Sequence, residues 1–150
     1  MLEIFSFLVA IIGFGLASYY DVKTTEIPDI LAYSLLTIGI TNFLVEYFLF
    51  KSLGLLDIIF SIAISAVGFS MYYLGQWGMG DAFLLASGSF LLFRNPLKES
   101  IISTQFDFFI NVFVIGSLYI IFYSILFALR RRRVIDLSLI HISEPTRQAE

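Results

Sequence analysis

The sequence has no cysteine among its 150 residues and a single histidine, His141, near the C-terminus. The absence of cysteine excludes disulfide bonds, thiol nucleophiles and thiolate metal sites. Because the only histidine lies in the C-terminal stretch that we interpret below as a scar, neither a Ser-His catalytic pair nor a His-based zinc site is credible. A Ser-Lys pair stays open by residue count, but no lysine lies within an apolar segment. Hydrolytic chemistry in this chain would therefore depend mainly on carboxylates.

Charged residues are also scarce: they make up 14% of the chain, whereas 59% of the residues are hydrophobic and 17% are aromatic. This composition lies well outside ordinary soluble usage and fits a lipid bilayer as the main solvent. No basic stripe indicates a nucleic-acid partner. We therefore expect a single membrane domain that contacts the lipid bilayer and binds no nucleic acid.

Five apolar segments follow one another, and each is predicted to be a helix because a membrane span must satisfy its own backbone hydrogen bonds. The segments are residues 4–20, 30–50, 53–74, 75–93 and 108–129. The clearly apolar part of the fourth, residues 82–93, would reach only about 18 Å as a helix, less than a bilayer core of about 30 Å. The glycine-rich stretch before it could enter the membrane if protein or a water-filled cavity surrounds it. The sequence thus predicts an all-α, polytopic membrane protein with five spans.

The basic residues of the short loops predict the orientation in the cell membrane. If the N-terminus faces outward, the inner side receives Lys23 and the arginine run at 130–133. The outer loops then hold only Lys51, Arg94 and Lys98. The positive-inside rule favours this arrangement, which is multi-pass with the N-terminus outside.

The last 14 residues, LSLIHISEPTRQAE at 137–150, differ abruptly in composition from the chain before them. They read as the translation of a transposase mosaic end joined to a sequencing adapter. We therefore predict a C-terminally truncated membrane domain at residues 1–136, followed by a cloning or assembly scar. A sixth span would have been lost with the natural end. The alternative is a short polar cytoplasmic tail.

The motif Gly78-Met79-Gly80-Asp81 stands at the start of the fourth apolar segment. An ionisable side chain at such a position is costly and indicates a functional site by default. The two glycines let the backbone bend and let another chain approach closely. In a soluble protein the same motif would usually be a turn, so the membrane context gives it weight.

Asp21 opens a short loop, DVKTTEIPD, between the first two apolar segments. Taken alone, Asp21 would be a charge at a helix end. Glu26 and Asp29 are interpreted as interfacial charges, with Asp29 or Thr25 capping the second helix. Two crossings separate Asp21 from Asp81, so both carboxylates are predicted to lie at the same membrane face, toward the cytoplasm.

Two carboxylates that approach each other share a proton, because like charges in a low-dielectric site move their pKa values apart. One can then activate a water molecule as a general base while the other, protonated, polarises the scissile carbonyl. Such a pair hydrolyses a peptide without a metal or a covalent intermediate. We therefore predict Asp21 and Asp81 as catalytic residues, with no cofactor and no metal.

The segments DVKTTEIPD and WGMGDAFLLA resemble the GxGD aspartic peptidases of the type IV prepilin peptidase family, especially the archaeal preflagellin and prepilin peptidases. The resemblance covers residues 1 to about 133. It implies a polytopic endopeptidase, typically with six spans, that removes a short basic leader from pilin-like or flagellin-like precursors at the cytoplasmic membrane surface. The family pattern matches the catalytic pair to Asp21 and Asp81. Residues expected to position substrate or form the loops are Gly78, Gly80, Lys23, Pro28 and Asp29.

The sequence departs from the family pattern at Phe83, where the family commonly has a lysine two residues after the second aspartate. Bacterial members often carry a cytoplasmic loop with cysteines and methylate the new N-terminus. Nothing in this chain corresponds to that loop, so we expect no methyltransferase activity.

Two other functions compete with this assignment. A presenilin-like or signal-peptide-peptidase-like intramembrane protease would also use paired aspartates, but on consecutive spans. A small transporter or structural membrane protein would use Asn42, Glu46 and Asp57, which we interpret instead as polar residues at interfacial helix ends.

Overall fold

The computed structural model describes residues 2–51, 53–93 and 104–142, with side chains as far as Arg130, and all regular structure in these ranges is helical. The five α-helices are α1 (Leu2–Thr24), α2 (Asp29–Val45), α3 (Leu55–Tyr73), α4 (Met79–Leu91) and α5 (Thr104–Ile142). A π-helical turn, Glu46–Phe50, extends α2. The predicted all-α class is confirmed.

Four of these helices are long and apolar enough to cross a membrane: α1, α2 with its π-turn, α3, and the part Thr104–Arg130 of α5. The fourth predicted segment is shorter, because α4 has 13 residues and extends only about 20 Å. It begins at Met79 rather than at residue 75, since Gly75 has a φ of 69° and ends the preceding helical turn.

The chain divides into two compact units, residues 1–111 and 112–150. In the second unit, the rings of Tyr119, Tyr123 and Phe127 stack at successive four-residue intervals along α5. The predicted scar at 137–150 remains a prediction, because α5 continues to Ile142 and residues 143–150 lie outside the described residues. Arg94 and Lys98, used above for the orientation, also lie outside them.

The short helix α4 lies against both α2 and α3 and also contacts α1. More than half of its residues are buried, and most of them are small: Ala82, Leu85, Ala86, Ser87, Gly88, Ser89 and Leu91. Small side chains let neighbouring helix backbones approach closely inside a membrane. Protein therefore surrounds α4 itself, whereas Gly75, Gln76 and Gly78 of the glycine-rich stretch are exposed.

Ring contacts show that α4 runs parallel to α2. At one end, the Phe83 ring meets the Tyr33 ring edge-on at 4.7 Å between centroids. Further along both helices, Phe90 meets Phe43 in the same way at 5.4 Å. The N-terminal ends of α2 and α4 therefore lie side by side.

A buried polar cluster joins α4 to α3 and to the start of α5. Gln105 is fully buried, and its Nε2 donates to Ser61 Oγ at 2.7 Å and to the backbone carbonyls of Asp57 and Ser89 at 3.1 and 3.2 Å. Among the described residues, its Oε1 has no hydrogen-bond partner. Since Ser61 lies opposite Ser89 while Gly68 lies against Ala82, α3 and α4 are antiparallel.

Helix α1 is antiparallel to α2. Asn42 Nδ2 donates to Ser6 Oγ at 3.0 Å in a buried contact, and the Leu35 side chain fills the space beside Gly13. The C-terminal end of α1 therefore lies at the same end of the first unit as the N-terminal ends of α2 and α4. This arrangement brings the segments of the two predicted motifs to one end.

The close approach of α2 to α4 can be tested at Gly39. A Cβ there would lie 3.2 Å from Leu91 Cγ and from Phe90 Cβ, whereas a Cβ at Gly15 of α1 would meet no atom of another described segment within 4 Å. We expect Gly39→Leu to lower the free energy of unfolding by about 1–3 kcal/mol through overpacking, and Gly15→Leu to leave it nearly unchanged. The free energy of unfolding of both variants is measured by detergent-induced unfolding, followed by the fluorescence of the single tryptophan, Trp77. Equal losses in the two variants would contradict the close packing.

Candidate active site

Asp81 lies in the first turn of α4, where its carboxylate caps the N-terminus of the helix. Gly78 is the residue before the helix, with an extended backbone, and its N–H donates to Asp81 Oδ2 at 3.2 Å. Helix α3 begins in the same way, since the N–H of Gly54 donates to Asp57 Oδ2 at 2.8 Å. A carboxylate is favourable at a helix N-terminus. Helix capping therefore explains an aspartate at either position, and Asp81 must be distinguished by its surroundings.

The first distinguishing feature of Asp81 is the contact between Gly80 and Ile27. A Cβ at Gly80 would lie only 3.0 Å from Ile27 Cβ and 3.2 Å from its Cδ1. At the corresponding position before Asp57, Leu56 is 67% exposed. The contact at Gly80 joins the loop that follows Asp21 to the residue that precedes Asp81.

The second distinguishing feature is electrostatic. Asp81 precedes the apolar part of α4 and lies outside the four membrane-length helices. Burial raises the pKa of Asp81 above its ordinary value of 3.8, the N–H of Gly78 lowers it, and the negative charge of Asp21 raises it further. The net effect is a raised pKa on a side chain that is exposed at its surface. The negative charge of Asp21 thus contributes, least of the three causes, to the raised pKa of Asp81.

Asp21 itself lies in the last turns of α1 and is exposed. Its backbone carbonyl accepts a hydrogen bond from the N–H of Thr25 at 2.8 Å. The neighbouring Lys23 Nζ lies 3.4 Å from the hydroxyl of Tyr19 and 5.6 Å from the centre of its ring. Lys23, predicted to position substrate, thus makes a cation–π contact along α1.

The start of α2 differs from its prediction. Pro28 is the residue before the helix, and its carbonyl accepts from the N–H groups of Leu31 and Ala32 at 2.9 and 3.2 Å. Asp29 is the first helical residue, and in the described part of the chain no side-chain hydrogen bond caps this end. The expectation that Asp29 or Thr25 caps α2 was therefore wrong. Pro28, with a φ of −59° and a ψ of 128°, directs the chain into the helix instead.

Phe83, which stands where the family commonly has lysine, packs between two helices. Its ring meets Tyr33 of α2, as described above, and Phe69 of α3 edge-on at 5.3 Å. The position therefore supplies an aromatic contact that orients α4 and no positive charge for Asp81. The sequence offered no signal for this pair of ring contacts, because Tyr33 and Phe69 are distant from Phe83 along the chain.

The polar residues of the transporter alternative serve mainly local roles. Asn42 donates a hydrogen bond to Ser6, and the carboxylate of Asp57 caps the N-terminus of α3, as described above. Asn42 and Glu46 are buried within the protein, with 8% and 6% of their surface exposed; their position at the membrane interface stays a prediction. In the described part of the chain, no three His, Cys, Asp or Glu side chains form a group that could hold a metal ion.

Sequence analysis missed Ile27. The available signal was an apolar residue in a mostly polar loop, together with a glycine directly before an aspartate at a helix start. These two features indicate a contact between Ile27 and Gly80 only once the ends of α1, α2 and α4 are known to lie together.

Comparison with known proteins gives the site its context. Residues 8–129 match the model of a family described as the Type IV leader peptidase family. The matched region includes Asp21, Asp81 and the loop that carries Ile27. Searches of curated proteins and of solved structures found no match. Because the family match covers most of the sequence, including both aspartates and the helices that bring their segments together, the chain belongs to the type IV leader peptidase family.

Proposed function

We propose that this multi-pass membrane peptidase is an aspartic endopeptidase that removes the short basic leader from pilin-like or flagellin-like precursors. Membership in the family supports leader-peptidase activity. The observation that carries the aspartic mechanism is the contact of Gly80 with Ile27, which joins the loop after Asp21 to the residue before Asp81. The negative charge of Asp21, which contributes least to the raised pKa of Asp81, agrees with it. The archaeal preflagellin type is part of this proposal and rests on the sequence resemblance.

The unequal surroundings of the two carboxylates suggest a division of roles. Asp81, with its raised pKa, holds the proton and donates a hydrogen bond to the scissile carbonyl oxygen. Ionised Asp21 takes a proton from a water molecule, whose oxygen then bonds to the carbonyl carbon. As the carbon–nitrogen bond breaks, the proton on Asp21 passes to the leaving amine. The products are a free carboxyl group on the leader and a free amino group on the mature protein.

The proposed site faces the cytoplasm. The end of the unit that holds Asp21 and Asp81 also holds Lys23, and the positive-inside rule favours this end as cytoplasmic. A precursor anchored by an apolar helix and bearing a basic leader on the same side would present its cleavage point near the membrane surface. Such a substrate brings the scissile bond to the end of α4 without having to pass through the bilayer.

An intramembrane protease of the presenilin type is the second candidate. That arrangement places the two aspartates on consecutive spans, whereas α2 and α3 separate Asp21 from Asp81 here. The family match also favours leader cleavage.

The catalytic pair can be tested against a structurally matched aspartate. We expect Asp21→Asn and Asp81→Asn each to lower precursor cleavage in membranes by roughly 10²–10⁴-fold, the usual contribution of general acid–base catalysis. Asp57→Asn is the control, because Asp57 makes the same hydrogen bond at a helix start but has no proposed role in the chemistry. Mass spectrometry of the released N-terminus measures cleavage. A folded Asp81→Asn variant that cleaves at the native rate would refute the proposal.

The raised pKa of Asp81 predicts the pH dependence of cleavage. Protonated Asp81 should persist above the ordinary aspartate pKa of about 3.9, so kcat/KM should fall as the pH rises through this raised pKa. An alkaline limb at or below the ordinary value would contradict the assignment of Asp81 as the acid.

The raised pKa of Asp81 also predicts that the folded chain is not destabilised at neutral pH when the negative charge of Asp81 is removed. A folded-state pKa above the unfolded value contributes stability at low pH that is lost as the pH rises through the folded pKa. At neutral pH, Asp81→Asn should therefore unfold at an equal or higher detergent concentration than the native chain, since an asparagine oxygen can still accept from Gly78. Below pH 4 the difference should shrink. A large loss of stability at neutral pH would contradict the prediction.

A further inference from the structure

Thr25 adopts an unusual backbone conformation at the end of α1. Its φ is 58°, and the only other non-glycine residue with a positive φ in the described ranges is Lys51. A β-branched residue is a genuine outlier in this left-handed region, because its Cβ crowds the following carbonyl oxygen. Residues held in such conformations concentrate at functional sites, where the surrounding structure fixes them.

Hydrogen bonds tie this turn directly to Asp21. The N–H of Thr25 donates to the backbone carbonyl of Asp21 at 2.8 Å. The hydroxyl of Thr24 lies 2.8 Å from the carbonyl of Tyr20 and 2.9 Å from that of Glu26, and its one proton serves either acceptor. The last turn of α1 is thus joined to the loop on both sides of Thr25.

The turn also determines where the loop goes next. A left-handed residue after a helix ends it and redirects the chain, and two residues later Ile27 lies against Gly80. A glycine could adopt this conformation without steric cost. The chain instead carries a threonine, whose narrower range of backbone conformations limits the paths that the loop can take.

We propose that Thr25 is a positioning residue for the peptidase reaction. Its left-handed backbone conformation holds Ile27 against Gly80 and so fixes Asp21 relative to Asp81 before the substrate binds. This inference rests on the proposed catalytic pair for its functional meaning. It also gives the Ile-Pro-Asp segment a physical role, since Ile27 anchors the loop to α4 and Pro28 directly precedes α2.

The absence of cysteine from the chain allows the contact to be measured independently of activity. A Cβ at Gly80 would lie 3.0 Å from that of Ile27, and a shift of about half an ångström brings this distance to the roughly 3.5–4.5 Å typical of disulfides. We expect Ile27→Cys combined with Gly80→Cys to form an intramolecular disulfide on mild oxidation in membranes. The fraction cross-linked then reports whether the loop is in place.

Substitutions at Thr25 test its backbone conformation. In the double-cysteine chain, Thr25→Pro should reduce cross-linking at least fivefold, because proline fixes φ near −65° and has no N–H to donate to Asp21. In the cysteine-free chain, Thr25→Pro should lower kcat by about 100-fold, as expected when a catalytic group is misplaced by about 1 Å. Thr25→Asn, which tolerates the left-handed region, should restore cross-linking and return kcat to within about threefold of native.

Lys51→Pro provides the matched control, because Lys51 has a φ of 51° and follows the π-turn of α2. We expect it to leave the Ile27–Gly80 cross-link unchanged. Full cross-linking in Thr25→Pro, native cleavage by that variant, or failure of Thr25→Asn to restore both readouts would each overturn the proposal. If the native chain cleaves no precursor, the proposed function fails, while loss of the cross-link in Thr25→Pro and its return in Thr25→Asn would still establish the positioning of the loop.

Discussion

The burial of α4 between α2 and α3 is the constraint on which the rest of the first unit depends. A helix of 13 residues is too short to cross a bilayer, so protein must surround it. The buried Ala, Ser and Gly residues of α4 satisfy this requirement, because they let α2 and α3 approach closely, as Gly39 and Gly68 also do from the other side. In lipid, where apolar side chains gain little by meeting each other, close packing and interhelical hydrogen bonds hold helices together.

The two ends of α4 are held by different contacts: the C-terminal end by buried hydrogen bonds, and the N-terminal end, which carries Asp81, by aromatic rings. At the C-terminal end, Gln105 donates hydrogen bonds to a side-chain hydroxyl and two backbone carbonyls, so buried polar contacts join α3, α4 and the start of α5. At the other end, the rings of Tyr33, Phe69 and Phe83 orient the helix. Its first turn remains partly exposed and carries Asp81. A well-packed helix thereby presents one carboxylate at a defined place.

The opposing carboxylate reaches this place through a loop and not through helix packing alone. Asp21 is attached to the end of α1, whose contacts with α4 are fewer than those of α2 and α3. The loop therefore helps to position Asp21 relative to Asp81, through the turn at Thr25 and the contact of Ile27 with Gly80. Asp57 shows the contrast: it makes the same hydrogen bond at the start of α3, but the residue before it, Leu56, is mostly exposed. A local capping motif becomes a candidate catalytic residue only through its neighbours.

The sequence by itself determined the helical class, the membrane environment, the short fourth segment and the two aspartates, because hydropathy, segment length and the rarity of charge are local properties of the chain. Only the tertiary structure decided which helices surround α4, that Asn42 and Glu46 are buried, and that Pro28 rather than Asp29 is the residue that precedes α2. The same holds for the ring contacts of Phe83 and the approach of Ile27 to Gly80. These features join residues far apart in the chain, and such contacts depend on how helix surfaces fit together, which hydropathy does not encode.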